Sequence, residues 1–167
     1  MILAHPSIEK SIGNKIISDN FSKENNTEVR HLDQLYPDFN VDVKAEQKAL
    51  LNADTIVFQF PLFWYNMPAI LKHWIDTVFE YGFAFGNEST LNSKDIIVSF
   101  TIGSPSKDYT DEVIQKICFP LQGLTKYCNL NYIGEIFCND INGYSEEARK
   151  NAIDIANKHS QRLIELI

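Results

Sequence analysis

The stretch TIVFQFPLFWYNMP, residues 55–68, decides the fold that this sequence predicts. Its first six residues form an apolar run broken only by one glutamine and rich in β-branched and aromatic side chains, which is typical of a strand buried on both faces of a parallel sheet. Pro61 cannot donate a ladder hydrogen bond, so we expect the strand to end before it. Three aromatic residues then crowd a loop, and Pro68 suits the first position of a helix. The unit is therefore strand, aromatic loop and helix.

The helix that follows is predicted over residues 68–79, because Ile70, Leu71, Trp74, Ile75 and Val78 recur at helical spacing on one face. That spacing indicates that Trp74 is a packing residue rather than a functional one. In open α/β sheets, ligands bind beyond the carboxyl ends of the strands. We therefore expect the aromatic loop before this helix to form one wall of a site for a flat ring.

The rest of the chain repeats this alternation of strand and helix. Strands are predicted at residues 1–4, 27–31, 55–60, 95–101 and 132–138. Helices are predicted from Ser11 to residue 21, at 42–52, 68–79, 111–117 and 121–128, and from Ser145 onward with Ile167 buried at its end; residues 33–40 are predicted as a loop. Five alternations favour a single α/β domain over residues 1–167, a flavodoxin-like three-layer sandwich whose five-stranded parallel sheet has the order 2-1-3-4-5.

Composition excludes several kinds of protein. The 167 residues are 44% hydrophobic and carry a net charge of -7 without a basic run, which argues against nucleic acid and anionic membranes as partners. No apolar stretch is long enough to cross a bilayer, and no signal peptide is visible. The three cysteines (118, 128 and 138) have no metal-binding spacing. We expect them to be buried, reduced thiols of a cytoplasmic protein.

Three loops should meet at one edge of the predicted sheet, because strands 1, 3 and 4 are neighbours in its order. Residues 5–14 precede a helix amino end, which favours an anion. Residues 61–66 supply aromatic rings, and residues 102–109 supply backbone amides beside Thr101. The phosphate-binding patterns G-x-x-x-x-G-K-[ST] and G-x-G-x-x-G are both absent. A phosphate site beside a flat aromatic slot suits a flavin.

These residues resemble those of the flavodoxin-like NAD(P)H:quinone oxidoreductases. That family includes the DT-diaphorase type, bacterial general stress proteins and the ancillary oxidoreductase of glutathione-gated potassium efflux. The resemblance covers nearly the whole chain. It is carried by AHP at residues 4–6, by the connection at 38–47, by QFPLFWYNMPAILK at 59–72 and by TIG at 101–103 with Tyr109.

The resemblance implies a role for each loop in binding the flavin. Loop 5–14 would hold its phosphate, loop 61–66 would line its ring, and loop 102–109 would reach the polar edge of the ring. The hydroxyl of Tyr109 would also act in catalysis, by stabilising negative charge on the reduced ring. The implied binding residues are His5, Ser11, Ile12, Asn14, Pro61, Leu62, Phe63, Trp64, Tyr65, Thr101, Ile102, Gly103 and Tyr109.

The resemblance also implies an activity and partners. A hydride would pass from NAD(P)H to the flavin, and two electrons would then pass to a quinone in the same slot, as in an NAD(P)H dehydrogenase. The absence of a clear adenine pocket favours FMN over FAD. Relatives form homodimers. Two alternatives remain at this point: a regulatory flavoprotein subunit that docks on a potassium-efflux transporter, and a small electron carrier like flavodoxin.

The sequence departs from the family at four places. The first strand is shorter than usual, which suggests either a truncated gene start or a less stable sheet. Phe63 occupies a position where several relatives carry a polar residue, and Ile102 and Ser104 alter the glycine-rich turn. Gln115 lies near the position where some animal members carry a histidine. We therefore expect no tyrosine–histidine relay.

Overall fold

One sheet of five parallel strands organises the structure, a computed structural model that describes residues 1–167. The strands are β1 (Ile2–Leu3), β2 (Arg30–His31), β3 (Thr55–Pro61), β4 (Asp95–Thr101) and β5 (Asn131–Cys138). Their spatial order is β2-β1-β3-β4-β5, which confirms the predicted topology. The pairing is uneven: β1 pairs with each neighbour through two residues, whereas β3 and β4 pair through seven.

Six α-helices and two short 3₁₀ turns connect the strands. The helices are α1 (Gly13–Phe21), α2 (Leu32–Leu35), α3 (Val43–Asn52), α4 (Ala69–Val78), α5 (Asp111–Tyr127) and α6 (Glu146–Ile164), and the turns are Ile8–Lys10 and Ser106–Asp108. Asp42, Thr110 and Ser145 each accept a hydrogen bond from the first turn of the helix that follows. These bonds satisfy amide groups that have no partner within a helix.

The structure corrects three predictions about individual prolines and ends. β3 includes Pro61, paired with Thr101, because β1 has ended on its other side and no ladder there requires its missing N–H. α5 is one helix that continues through Pro120, where both this residue and Lys116 are exposed, so water can bond the freed carbonyl. Ile167 lies beyond α6 and is half-exposed rather than buried.

Two smaller predictions also differ from the structure. The second strand was expected over residues 27–31 but contains only Arg30 and His31, and α2 occupies part of the predicted loop 33–40. Both segments lie at the sheet edge beside the short β1, so the ladder available to β2 limits its length.

Alternation along β3 and β4 divides the core into two unequal parts. Phe58, Phe60 and Phe100 face α3, α4 and α5 in a cluster of 26 buried residues. Val57 and Ile97 face α1 and α6 in a cluster of six. Trp74 of α4 is fully buried in the larger cluster, which confirms its packing role.

A buried carboxylate holds the β2 edge of the sheet to α3 and α4. Glu46 is fully buried and accepts hydrogen bonds from Arg30 Nε at 3.0 Å, from Trp74 Nε1 at 3.0 Å and from the hydroxyl of Tyr36. The salt bridge to Glu46 raises the pKa of Arg30, and burial followed by this carboxylate raises the pKa of Tyr36 to about 12. We call these four residues the Glu46 cluster.

A cleft of about 720 Å³ lies at the amino edge of the sheet, away from the predicted site. Met1, Arg30 and Thr55 are among its lining residues, and it opens where the first residues of β3 have no partner on β1. It contains none of the three predicted loops, so we place the candidate site at the opposite edge. No helix has the length and apolar character needed to cross a membrane.

Candidate functional site

The three predicted loops meet at Thr101, the last residue of β4. Its carbonyl accepts a hydrogen bond from the Leu62 N–H at 2.8 Å, and its hydroxyl oxygen accepts one from Asn14 Nδ2 at 2.8 Å. The residue that precedes the third loop thus contacts both of the other loops. The three loops therefore lie together at the carboxyl edge of the sheet, as the predicted strand order requires.

The first loop ends at the amino end of α1 with open hydrogen-bond donors. The backbone N–H groups of Ile12 and Lys15 make no hydrogen bond within the protein, whereas that of Asn14 donates to Ser11 Oγ at 3.2 Å. A Cβ on Gly13 would lie 2.7 Å from Ile141 and 3.2 Å from Thr101, so only glycine permits this close packing of α1. Open amides at a helix amino end can hold an anion.

His5 lies at the start of this loop in a fixed tautomer. Its Nδ1 accepts a hydrogen bond from the Ser7 N–H at 3.0 Å, so the proton of the neutral ring is on Nε2. The backbone N–H of His5 donates to Asp33 Oδ2 at 2.7 Å, and the backbone carbonyl of His5 lies 3.0 Å from His31 Nε2. Burial lowers the pKa of His5, with Asp33 opposing the shift. The half-buried imidazole therefore offers a neutral N–H donor.

The second loop is a tight turn with a strained backbone. Phe63 and Asn66 exchange two backbone hydrogen bonds, of 2.8 and 3.0 Å, and the two residues between them have positive φ: 48° at Trp64 and 62° at Tyr65. Such two-residue turns favour Asn and Gly, because side chains with a Cβ are strained there. Trp64 is 95% exposed. Strain of this kind is retained mostly at functional sites.

This turn also carries open donors. Neither the Trp64 N–H nor the Tyr65 N–H has a partner within the protein. Of the other predicted ring contacts, Pro61 is buried, Leu62 is half-buried against the larger core cluster, and Phe63 is exposed. The turn therefore presents three exposed aromatic side chains and two free amides at the sheet edge.

The third loop adds amides and a tyrosine. The N–H groups of Gly103 and Ser104 have no partner within the protein. Ile102 is buried, and both its backbone groups are used, by Cys138 and Ile141. The ring of Tyr109 lies 5.9 Å from that of Tyr65, between centroids, which joins this loop to the aromatic turn.

A fourth loop, residues 139–144, is predicted as a loop by the sequence but was not assigned to the site, and it supports the other loops. The N–H of Ile141 donates to the Ile102 carbonyl at 3.0 Å, and that of Asp140 donates to the Ser104 carbonyl at 3.2 Å. It follows β5, whose carboxyl end lies at the same edge as that of β4. That position in the strand order was the signal that could have identified it.

Comparison with known proteins agrees with the fold. The family model Flavodoxin_2, described as a flavodoxin-like fold, matches residues 1–163. The glutathione-regulated potassium-efflux system ancillary protein KefF of Enterobacter sp. (strain 638) is 39% identical over 137 residues, which are 80% of this chain and 78% of KefF.

Two solved structures are similar over nearly their whole length. General stress protein 14 of Treponema denticola, crystallised with FMN, is 33% identical with a TM-score of 0.88, covering 99% of this chain and 97% of that one. An NADPH-quinone reductase from P. pentosaceus is 23% identical with a TM-score of 0.77, covering 95% of each chain, and shows the shared fold. This protein belongs to the family that its sequence resembles, the flavodoxin-like NAD(P)H:quinone oxidoreductases.

Proposed function

We propose that this protein is an FMN-dependent NAD(P)H oxidoreductase that reduces quinones or similar small acceptors. One observation carries the proposal: three loops with open backbone donors and a strained aromatic turn meet at Thr101. A similar protein of Treponema denticola was crystallised with FMN, which supports the choice of flavin.

The residues present fit each part of FMN. Ser11 Oγ accepts from the Asn14 N–H, which leaves its own hydrogen free for a phosphate beside the amides of Ile12 and Lys15. Trp64 and Tyr65 would flank the ring. The amides of Gly103 and Ser104, and the Tyr109 hydroxyl, would donate to its polar edge, where negative charge develops on reduction. When bound, the flavin supplies the hydride acceptor and the two-electron donor.

Cofactor identity and reduction test this proposal directly. We expect the purified protein to bind one FMN per chain, and heat to release FMN rather than FAD for identification by chromatography. Under anaerobic conditions NADPH or NADH should bleach the bound flavin, and menadione should restore its colour. A protein that stays colourless after incubation with FMN, or a flavin that stays oxidised for minutes, would refute the proposal.

A paired variant tests the aromatic turn. Replacing both rings, Trp64→Ala with Tyr65→Ala, should weaken FMN binding about tenfold through the lost stacking on two rings. Leu51→Ala removes an exposed apolar side chain of α3 instead and should leave FMN binding unchanged. Equal affinities for the double variant and the wild type would contradict the assignment of the turn to the flavin ring.

We also propose a homodimer in the cytoplasm. Two exposed tyrosines, Tyr81 and Tyr127, flank the half-buried Phe85, with ring centroids 5.9 Å apart for Tyr81 and Phe85 and 5.5 Å apart for Phe85 and Tyr127. Exposed apolar patches of this kind support association. Analytical ultracentrifugation should report a dimer, and Tyr127→Glu should shift it towards monomer. The three buried, unpaired cysteines support a reducing compartment.

A regulatory role is the second candidate function, favoured by the 39% identity to the potassium-efflux ancillary protein KefF. In that role the flavoprotein would dock on a potassium-efflux transporter and change its activity. Co-purification with such a transporter from the native host, and altered potassium efflux on deletion, would support it. This role is compatible with the enzymatic one, since the same bound flavin would serve both.

A further inference from the structure

Five buried polar side chains connect α6 to the candidate phosphate loop. His159 Nε2 lies 2.8 Å from Ser99 Oγ, which lies 2.6 Å from Gln59 Oε1. Gln59 Nε2 lies 2.8 Å from Asn14 Oδ1, and Asn14 Nδ2 lies 2.8 Å from Thr101 Oγ1. All five side chains belong to residues that are at most 4% exposed. We call them the polar chain.

The donors of the polar chain all point the same way. Ser99 has one hydroxyl hydrogen and donates it to Gln59, so the bond between His159 and Ser99 requires a hydrogen on His159 Nε2. Gln59 Nε2 in turn donates to Asn14 Oδ1, and Asn14 Nδ2 donates to the Thr101 hydroxyl oxygen, where the series ends. The hydrogen of that hydroxyl has no acceptor within the protein.

A neutral imidazole at His159 preserves this direction. Its Nδ1 makes no hydrogen bond, so no contact requires the proton of the neutral ring on that nitrogen. Burial lowers the pKa of His159 to about 4, and the positive charge of Arg162 acts in the same direction. A backbone group of Phe137 opposes the shift.

The polar chain lies in an otherwise apolar part of the core. Val57, Ile97, Ile136 and Leu163 surround it in the smaller cluster between the sheet and α1 with α6. Burying five polar side chains among such residues is costly unless every bond is made, and apolar residues of similar volume would fill the space without that cost. The polar chain ends at Asn14 and Thr101, where the first and third loops meet.

We propose that His159, Ser99 and Gln59 are positioning residues that fix Asn14, and with it the first turn of α1, in the conformation that receives the phosphate of FMN. Both ends of the Asn14 amide are held, so the turn that carries the open amides of Ile12 and Lys15 cannot rotate freely. This inference rests on the proposed function for its ligand and on the polar chain for its mechanism.

Affinity for FMN and for riboflavin, which lacks the phosphate, separates positioning from general stability. Ser99→Ala and His159→Leu each break the polar chain, and we expect each to weaken FMN binding about tenfold, as for one lost buried hydrogen bond, with riboflavin binding unchanged. His159→Gln retains an N–H donor and should restore most of the FMN affinity. Ser160→Ala is the matched control, because it removes a buried hydroxyl without a partner from the same helix.

NMR of the ligand-free protein gives a second readout. The side-chain amide signals of Asn14 should shift in Ser99→Ala and in His159→Leu but not in Ser160→Ala, and the ¹⁵N pattern of His159 should be that of the Nε2–H tautomer. Equal losses for FMN and riboflavin, or unshifted Asn14 signals, would overturn the inference. A wild-type protein that binds no FMN would instead refute the proposed function, and the Asn14 signals would still decide whether the polar chain positions the loop.

Discussion

The Glu46 cluster and the polar chain are both buried hydrogen-bond networks, yet they differ in charge and in what they touch. The Glu46 cluster is built on an ion pair between Glu46 and Arg30 and joins β2 to α3 and α4. The polar chain is neutral and ends at Thr101, inside the candidate site. A charged network stabilises an edge of this sheet, while a neutral one sets the shape of a binding loop without adding a charge beside it.

The largest effect on stability should come from breaking the charged network. Glu46→Gln leaves Arg30 with a neutral partner at a buried position, and we expect a loss of about 3 to 5 kcal/mol in the free energy of unfolding. Urea denaturation measures this loss. The ratio of FMN to riboflavin affinity should stay at its wild-type value, because the Glu46 cluster does not reach the loops.

Glu28→Gln is the control for this change. Glu28 also pairs with Arg30, but its side chain is 65% exposed, so the loss should be within about 1 kcal/mol. The distinction between the two networks fails if Glu46→Gln changes the affinity ratio or if both variants lose the same stability.

A smaller effect should appear when acid charges the neutral network. The pKa of His159 is lowered to about 4 by burial, against 6.5 for an unburied histidine, so between these pH values the unfolded chain binds more protons than the folded one. The contribution of neutral His159 to the free energy of unfolding is fully present above pH 6.5. It is lost as pH falls towards 4, to a total of about 3 kcal/mol. Unfolding curves across this range measure it.

His159→Gln isolates the histidine from other groups that titrate in acid. Burial also lowers the pKa of the Met1 amine to about 5, and that group acts in the same direction in both proteins. The stability of the wild type relative to the variant should therefore decrease as pH falls from 6.5 to 4. A constant difference would show that His159 is not the buried neutral group that the geometry requires.

The smallest effect should come from the aromatic turn, which lies outside both networks. Trp64→Asn with Tyr65→Gly places residues that accept positive φ at both strained positions, so the protein should gain about 1 kcal/mol in stability. FMN should bind more weakly, because both rings are lost. Thermal unfolding and fluorescence titration measure the two effects. A loss of stability would mean that the rings stabilise the fold and that the turn is not strained for binding.

The fold could be predicted from the alternation of strands and helices alone. Whether a given proline ends its strand or helix could not. The sequence marks Pro61 and Pro120 as ends of elements, since each lacks an N–H donor. Whether a missing donor matters depends on its neighbour in space, and here β1 has ended beside Pro61 while water reaches the turn at Pro120. Local rules therefore located the elements and misplaced their ends.

For the candidate site, the sequence could predict which loops meet but not which buried side chains bond to one another. The strand order brings the loops after strands 1, 3 and 4 together, and the structure joins them at Thr101. Gln59 and Ser99 are single polar residues in apolar strands, which was a visible signal in each. Only the register that pairs Gln59 with Ser99, and the approach of His159 from 60 residues further along the chain, reveals that they form one network.

The short pairing of β1 has a consequence for local opening of the native state. Two residue pairs hold β1 to β2, and two hold it to β3, so this edge should exchange its amide hydrogens with solvent faster than the β3–β4 ladder of seven pairs. The loop after β1 begins where this weak ladder ends. A ligand bound by that loop should therefore also slow the amide hydrogen exchange of Arg30 and His31. The exchange rates of β2 would then report whether the site at the carboxyl edge of the sheet is occupied.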